Sequence, residues 1–271
     1  MGRKSILVLA CFILGVYAAT IYLGLKHFHP STWGDSRQLV VWQAWQLSSL
    51  PAIPPGARGD SVRYGRLLFT QTALFAPTYA SANVTCSNCH LAEGTAPYAS
   101  PMVGLPALFP MFNARAGHMI SLKDRIEECF TRSENGRPLP YDSREMTALV
   151  DYIHWLSQPE PQNKAFTGRG LVSLPDLKPD PTNGASIYAS QCAGCHSTNG
   201  TGRPPLMPPL WGDKSFNDGA GMNGVPKMAA FVQHNMPQNR TGTLSPQEAY
   251  DVAAYVHSMP RPKFNQAYKK Y

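Results

Sequence analysis

Two short motifs in this 271-residue chain contain residues that can bind a metal-bearing group. They are the CxxCH sequences at residues 86–90 and 192–196. Two thiols at this spacing can add to the two vinyl groups of a haem, and the histidine that follows can bind the iron. Zinc sites also use CxxC, but they need further Cys/His couples at short spacing. We therefore predict two haem c groups, covalently bound through Cys86, Cys89, Cys192 and Cys195, with His90 and His196 as proximal iron ligands.

The iron of the second haem needs a distal ligand, and Met236 has the expected position. It lies 40 residues after His196 and directly before a proline, behind a short helix predicted to start near Pro226. A methionine at this distance is the usual class I cytochrome c arrangement. Two alternatives stay open. Met207 lies only 11 residues after the proximal histidine, and His234 could compete if the loop rearranges.

The same spacing applied to the first motif leads to a cysteine. Forty residues beyond His90 is Phe130, and its neighbour is Cys129, whereas Met119 and Met146 lie 29 and 56 residues away. The alternative is a buried free cysteine that acts as a small hydrophobic residue. Such a free thiol is disfavoured in a compartment that oxidises thiols. We predict Cys129 as the distal ligand of the first haem.

The residues around Cys129 predict a helix. Ser121 and Asp124 have the pattern of a helix N-terminus, and Asn135-Gly136 predict its end. The apolar face of this helix comprises Leu122, Ile126, Cys129 and Phe130. Arg125, Cys129 and Ser133 are spaced by four, so they form one stripe. A cation beside the sulfur favours the thiolate, which is the form that ligates iron. The alternative for Arg125 is an ordinary surface charge.

The two haem-binding segments are internal repeats of one mainly α fold. Gly65 and Gly184 are each predicted to open an amphipathic helix before a CxxCH motif. Terminal helices are predicted after Ser143 and Ser245, the second with proline at its first position. Near their ends lie His154 and His257, at a constant offset of 103, which we interpret as structural residues. This order of helices, motif and distal ligand predicts two class I cytochrome c domains in tandem.

The N-terminal segment predicts a membrane anchor. Residues 5–25 contain no charge, and 21 helical residues span roughly 30 Å, the thickness of the hydrocarbon layer. A cleaved signal peptide and a lipid attached to Cys11 are the alternatives. Arg3 and Lys4 place the N-terminus in the cytoplasm by the positive-inside rule. We therefore expect a bacterial inner-membrane protein with its haem domains in the periplasm, where haem c is attached.

Composition gives the remaining boundaries. Residues 157–182 hold five prolines without a sustained apolar period and predict a linker. The formal charge of +7 fits either a mildly basic soluble surface or attraction of an anionic substrate. The sequence lacks the basic run with interleaved aromatic residues that would predict nucleic-acid binding. We predict an anchor at 1–30, a connecting region at 31–59, the first domain at 60–157, the linker at 158–182, the second domain at 183–262 and a tail at 263–271.

With these residues in hand, the chain resembles the thiosulfate dehydrogenase family of dihaem cytochromes c. The resemblance covers about residues 60–260, and its specific part is CFTRSENGRPLP at 129–140. The family couples two thiosulfates into tetrathionate with release of two electrons, and some members run the reverse reaction. The resemblance implies His90/Cys129 ligation at an active-site haem and a substrate pocket that contains Arg115, Arg125 and Ser133, with Arg137 a weaker candidate.

The resemblance also sets the expected partners. Electrons are expected to pass from the His/Cys haem to the His/Met haem and then to a cytochrome c, a high-potential carrier or a membrane oxidase. Family members are often soluble, so the predicted anchor is a departure. Two other functions stay open from the sequence: an anchored electron carrier without substrate chemistry, and a cytochrome whose substrate is bound to a carrier protein. A simple electron carrier would not need the Arg115, Arg125 and Ser133 set.

Overall fold

The computed structural model describes residues 50–158, 166 and 168–269. All described residues belong to one compact unit. The predicted anchor, most of the predicted connecting region, part of the linker and the last two residues lie outside the described residues. Within the described part, none of the helices combines the length and apolarity that crossing a membrane requires.

The first domain is built from helices and one small hairpin. Its elements are α1 (Gly56–Thr70), α2 (Thr72–Phe75), α3 (Cys86–Cys89), α4 (Leu91–Gly94), a 3-10 turn (Leu105–Leu108), β1 (Met111–Asn113), β2 (His118–Ile120), α5 (Leu122–Arg132) and α6 (Arg144–Leu156). The two strands are antiparallel, with Met111 opposite Ile120. Sequence reasoning did not predict this hairpin.

The second domain repeats the helical plan without a described strand. Its elements are α7 (Pro181–Ile187), a π-helical turn (Tyr188–Cys192), α8 (Ala193–His196), a 3-10 turn (Gly221–Asn223), α9 (Val225–Asn235), α10 (Pro246–Ser258) and a last 3-10 turn (Gln266–Tyr268). The start of α9 confirms the helix predicted near Pro226.

The predicted helix starts are confirmed by their capping hydrogen bonds. The hydroxyl oxygens of Ser121, Ser143 and Ser245 each accept from a backbone N–H of the following turn. In α5 the Asp124 carboxylate also accepts from the Ser121 N–H at 2.8 Å, which completes a capping box. These bonds satisfy N–H groups that a helix N-terminus would otherwise leave unpaired.

Gly65 and Gly184 do not open their helices, as the sequence suggested; they lie inside α1 and α7. Each lies where its helix crosses the terminal helix of its domain. A Cβ atom at Gly65 would be 2.0 Å from the Ala148 carbonyl oxygen, and one at Gly184 would be 2.0 Å from that of Asp251. The two carbonyl partners, Ala148 and Asp251, are related by the predicted offset of 103, because the close helix crossing is itself part of the repeat.

Each domain has its own apolar core. Leu68, Phe130 and Leu156 are among the buried residues of the first core. The segment predicted as a linker continues this packing, since Leu174 and Leu177 pack against the second core. A further small cluster joins Ala96 and Ala99 of the first domain to second-domain residues.

Candidate active site

The first CxxCH motif forms a short helix whose histidine has a fixed orientation. Thr85 precedes α3, and its N–H donates to the Asn88 side-chain oxygen at 2.8 Å. The His90 Nδ1 atom lies 2.6 Å from the Ser100 carbonyl oxygen. Because a carbonyl only accepts, Nδ1 carries the proton and Nε2 keeps its lone pair for a metal. Burial lowers the pKa of His90 to about 4, so the ring is neutral at physiological pH.

The histidine of the second motif is oriented in the same way as His90. A π-helical turn leads into Cys192, and such turns occur often at functional sites. The His196 Nδ1 atom lies 3.0 Å from the Pro208 carbonyl oxygen, which again leaves Nε2 for a metal. Burial lowers the pKa of His196 as well.

These residues fit two covalently attached haem groups. In each motif, two thiols and a neutral imidazole with an oriented Nε2 lie at one short helix, which is the donor set that haem c requires. The Phe69 ring centroid lies 6.2 Å from that of His90, so aromatic carbon adjoins the first site. Cys86, Cys89 and His90 would hold the first haem, and Cys192, Cys195 and His196 the second.

Cys129 is half-buried, as Cys86 and Cys89 are, and lies near both of these thiols. It is on α5, and its charge is among the causes that raise the pKa values of Cys86 and Cys89. Burial raises the pKa of Cys129 itself, while the Arg125 guanidinium lowers it and the carboxylates of Glu134 and Glu128 raise it. Burial has the largest effect, so the pKa of Cys129 lies above its ordinary value, and the charge of a bound metal would favour the thiolate.

Three arginines surround one buried carboxylate beside Cys129. The Glu128 side chain is 6% exposed, and its Oε2 accepts from Arg125 Nη1 at 3.1 Å. Its Oε1 lies 4.0 Å from Arg115 Nη1 and 3.9 Å from Arg132 Nε. The side chains of Arg115 and Arg125 are 40% and 43% exposed, whereas Arg132 is 11% exposed. This cluster has an excess of positive charge and two guanidinium groups that reach solvent.

The β1–β2 hairpin brings Arg115 to the cluster. Its turn is held by the Asn113 side-chain oxygen, which accepts from the N–H groups of Arg115 at 2.9 Å and Ala116 at 3.2 Å. The Asn113 Nδ2 atom donates to Glu128 at 3.1 Å. One asparagine therefore shapes the turn and ties it to α5.

The second domain also contributes to the cluster. The Gly219 carbonyl oxygen accepts from Arg115 Nη1 and from Arg132 Nη1, each at 3.3 Å. The guanidinium carbon of Arg132 lies 4.0 Å from the centre of the Phe264 ring. Phe264 is buried although it belongs to the segment predicted as a tail. The loop at Gly219 and the chain near Phe264 therefore support the arginines from outside the first domain.

The other two predicted residues of the first site differ in their placement. Ser133 follows the last residue of α5 with helical backbone angles and is half-buried, so it continues the stripe of Arg125 and Cys129. Arg137 lies beyond the helix with an exposed side chain, and its N–H donates to the Tyr79 carbonyl at 3.0 Å. This position agrees with its weaker candidacy.

Met236 directly follows α9 in an extended conformation and is half-buried. It packs against the small cluster that includes Phe231 and Ala96. The His234 ring makes an edge contact with Tyr98, with centroids 4.8 Å apart. The role of Met236 as distal ligand of the second haem stays a prediction, as does that of Cys129 at the first haem.

Sequence reasoning missed Glu128, Asn113 and Gly219. A signal for Glu128 was available, because it stands three residues after Arg125 and four before Arg132, which are the spacings of helical ion pairs. Gly219 had no such signal, since its partner Arg115 lies 104 residues away along the chain.

Comparison with known proteins identifies the family. Residues 71–161 match the family described as SoxA/TsdA, cytochrome c domain, and residues 181–260 match the cytochrome c family. A thiosulfate dehydrogenase of Allochromatium vinosum is 38% identical over 224 residues, which are 79% of this chain and 83% of the relative. The chain belongs to the thiosulfate dehydrogenase family. The prediction of two tandem cytochrome c domains with two covalently bound haem c groups is thereby confirmed.

Other members of the thiosulfate dehydrogenase family agree. A thiosulfate dehydrogenase of Thiomonas intermedia is 33% identical over 273 residues, which cover 97% of this chain and 87% of the relative. The solved structure of the thiosulfate dehydrogenase TsdBA from Marichromatium purpuratum is 36% identical and superposes with a TM-score of 0.73. That alignment covers 79% of this chain and 49% of the other, so this chain spans about half of that protein. Membership of the family makes this protein an oxidoreductase.

Proposed function

We propose that this protein oxidises two thiosulfate anions to tetrathionate beside Cys129. The names of its relatives support thiosulfate as the substrate. The observation that carries the proposal is the pair of half-exposed guanidinium groups, Arg115 and Arg125, held at one buried carboxylate next to Cys129 on α5. Tetrathionate as the product follows from the chemistry of joining two thiosulfates.

The arginine cluster suits the charge of the reactants. Each thiosulfate carries two negative charges, so bringing two of them together meets strong repulsion. Planar guanidinium groups can offset that repulsion and bind oxyanions through two parallel hydrogen bonds. Three arginines against Glu128 leave a formal excess of two positive charges in the cluster. A pure electron carrier has no need for this excess of charge beside a half-buried cysteine.

The reaction balances without a proton. One S–S bond forms between the outer sulfurs of two thiosulfates, and two electrons leave. The two haem c groups supply sites that take one electron each. The Arg115 and Arg125 groups would hold the oxyanion ends, and Ser133 would lie on the same stripe of α5. Cys129 would help to hold the first haem, which would take up the electrons released there, and its sulfur would lie where the outer sulfur of a substrate arrives.

The electron path and the location complete the proposal. A thiolate ligand lowers a haem potential, whereas a methionine raises it, so electrons would pass from the Cys129 site to the Met236 site. From there they would reach a cytochrome c, another high-potential carrier or a membrane oxidase. The uncharged segment at residues 5–25 supports attachment to the inner membrane with the haem domains in the periplasm.

The test uses the purified holoprotein with thiosulfate and ferricyanide, with tetrathionate as the measured product. Arg125→Gln should lower kcat/KM by about 100-fold, because losing a charge-assisted contact in the transition state costs roughly 2–3 kcal/mol. The control is Arg63→Gln, which removes an exposed arginine of α1 paired with Asp60. Cys129→Ala should abolish turnover.

Two results would contradict the proposal. Absence of turnover both with thiosulfate and, in the reverse direction, with tetrathionate and a reduced viologen would favour an electron carrier. Full thiosulfate oxidation by Cys129→Ala would exclude any part for Cys129 in the chemistry.

A further inference from the structure

We propose that Glu128 is a positioning residue, which holds the guanidinium groups of Arg115 and Arg125 in the orientation that receives the substrate anion. The inference rests on the proposed function and adds to it a residue that has no contact with substrate. It is carried by the convergence of both arginines on one buried carboxylate.

The geometry gives Glu128 a position between helix and hairpin. Its Oε2 accepts from Arg125 Nη1 and Asn113 Nδ2, both at 3.1 Å. Its Oε1 lies 4.0 Å from Arg115 Nη1. Arg125 comes from α5 and Arg115 from the hairpin turn, so the carboxylate is a common anchor for side chains from two elements. It is buried beneath them at 6% exposure, while the arginines reach solvent.

Anchoring matters because arginine is flexible. Ordering one long side chain costs rotamer entropy. If the carboxylate orders both guanidinium groups before the anion arrives, that cost does not reduce the affinity for the substrate. The partial exposure of both side chains implies considerable freedom without such an anchor.

Arg132 allows the anchor to stay satisfied when the anion binds. Its Nε and the Glu128 Oε1 are 3.9 Å apart, and each lacks a hydrogen-bond partner among the described residues. Buried polar atoms without partners are uncommon. A small rotation of either side chain would bring the two atoms into hydrogen-bond range. Glu128 could then bond Arg132 through Oε1 while its Oε2 keeps the bonds from Arg125 and Asn113.

The charge of Glu128 makes the inference testable by the sign of an effect. Through its field alone, the carboxylate repels a dianion, so removing it would strengthen binding. Through positioning, it aids binding, so removing it would weaken binding. The two roles predict opposite changes in KM.

The experiment compares Glu128→Gln, Glu128→Asp and the unchanged holoprotein in thiosulfate oxidation. Glu145→Gln is the matched control, since it makes the same substitution in the first turn of α6. We expect Glu128→Gln to raise the KM for thiosulfate about tenfold, with kcat reduced less than threefold. Glu128→Asp, which keeps the charge and a shorter anchor, should recover part of the loss. A KM that falls or stays unchanged in Glu128→Gln would overturn the inference, as would an aspartate variant as impaired as the glutamine one.

Two further measurements keep the result interpretable. The midpoint potential of the first haem should rise in Glu128→Gln, because a negative charge near it is lost, and its measurement shows that the haem is in place. Sulfate, a redox-inert tetrahedral dianion, is titrated into oxidised protein and followed by the electron paramagnetic resonance signal of that haem. If sulfate binds the unchanged protein about tenfold more tightly than Glu128→Gln, positioning stands even where thiosulfate is not turned over. Equal sulfate affinities would refute it whatever the activity.

Discussion

Adding one methyl group to the second domain should disturb the arginine cluster of the first. The change is Gly219→Ala. A Cβ atom there would lie 2.8 Å from Arg132 Nη1 and 2.8 Å from the Phe264 ring carbon Cγ. Both distances are shorter than real Cβ contacts allow, and both neighbours are largely buried. Either the loop moves away from Arg132 or the stack of Arg132 on Phe264 opens.

The expected cost follows from these contacts. Overpacking a well-filled site costs about 1–3 kcal/mol. A hydrogen bond from a charged group contributes about 1.5–3 kcal/mol, and the low end applies here because both bonds are 3.3 Å long and Arg115 is 40% exposed. We expect an overall loss of about 2–3 kcal/mol. For a protein of this size that lowers Tm by roughly 4–12 °C.

The assay is a thermal melt of the oxidised holoprotein followed by circular dichroism, with thiosulfate KM measured beside it. KM should rise a few-fold, since Arg115 loses one of its anchors. The control is Gly221→Ala, two residues along the chain, where an added Cβ meets no atom within 4 Å. Its Tm should stay the same or rise slightly, because alanine restricts the unfolded chain. If the two variants have the same Tm and the same KM for thiosulfate, the contact of Gly219 with the cluster does not contribute to stability or substrate binding.

Two further perturbations test the shared architecture of the domains. Burial raises the pKa of Asp251, but hydrogen bonds from Asn183, the Asp180 amide and Gln247 outweigh it and hold the pKa below its ordinary value. The ionised carboxylate therefore stabilises the fold at pH values above its unfolded-state pKa. Asp251→Asn should lower the free energy of unfolding in urea by about 1–3 kcal/mol at pH 7. This difference between the two proteins should vanish as pH falls through the folded-state pKa. Gly65→Ala should lower the free energy of unfolding by more than about 3 kcal/mol and reduce the yield of holoprotein, because its Cβ would overlap a backbone carbonyl. An unchanged urea midpoint would contradict that reading of the helix crossing.

The helix starts could be predicted because residues a few positions apart in the sequence determine them. The caps at Ser121, Ser143 and Ser245 follow from residues three positions apart, and all three are confirmed. The repeat within the chain predicted Cys129 as a ligand, and the structure brings its helix to the half-buried thiols of the first motif. Periodicity and spacing carry this information without knowledge of distant contacts.

Contacts between distant residues could not be predicted in this way. The β1–β2 hairpin has strands of only three residues with exposed Phe112 and Met119, so it lacks the alternation that marks a strand. The role assigned to Gly65 was wrong because a glycine signals freedom of the backbone, whereas here it permits two helices to touch. Phe264 packs against Arg132, and no pattern near residue 264 indicates this contact.

The cluster of arginines therefore belongs to both domains, although all three arginines lie in the first. Asn217 of the second domain makes two hydrogen bonds to α5. Its N–H donates to the Arg132 carbonyl at 3.2 Å, and its Nδ2 donates to the Thr131 carbonyl at 2.9 Å. These bonds satisfy carbonyls at the end of α5, which a helix leaves unpaired. The loop at residues 217–219 thus holds the end of the helix that carries Cys129. Through Gly219 it also holds Arg132 of that helix and Arg115 of the hairpin turn. Because one loop fixes both, a change that loosens the contact between the domains should weaken anion binding before it unfolds either core.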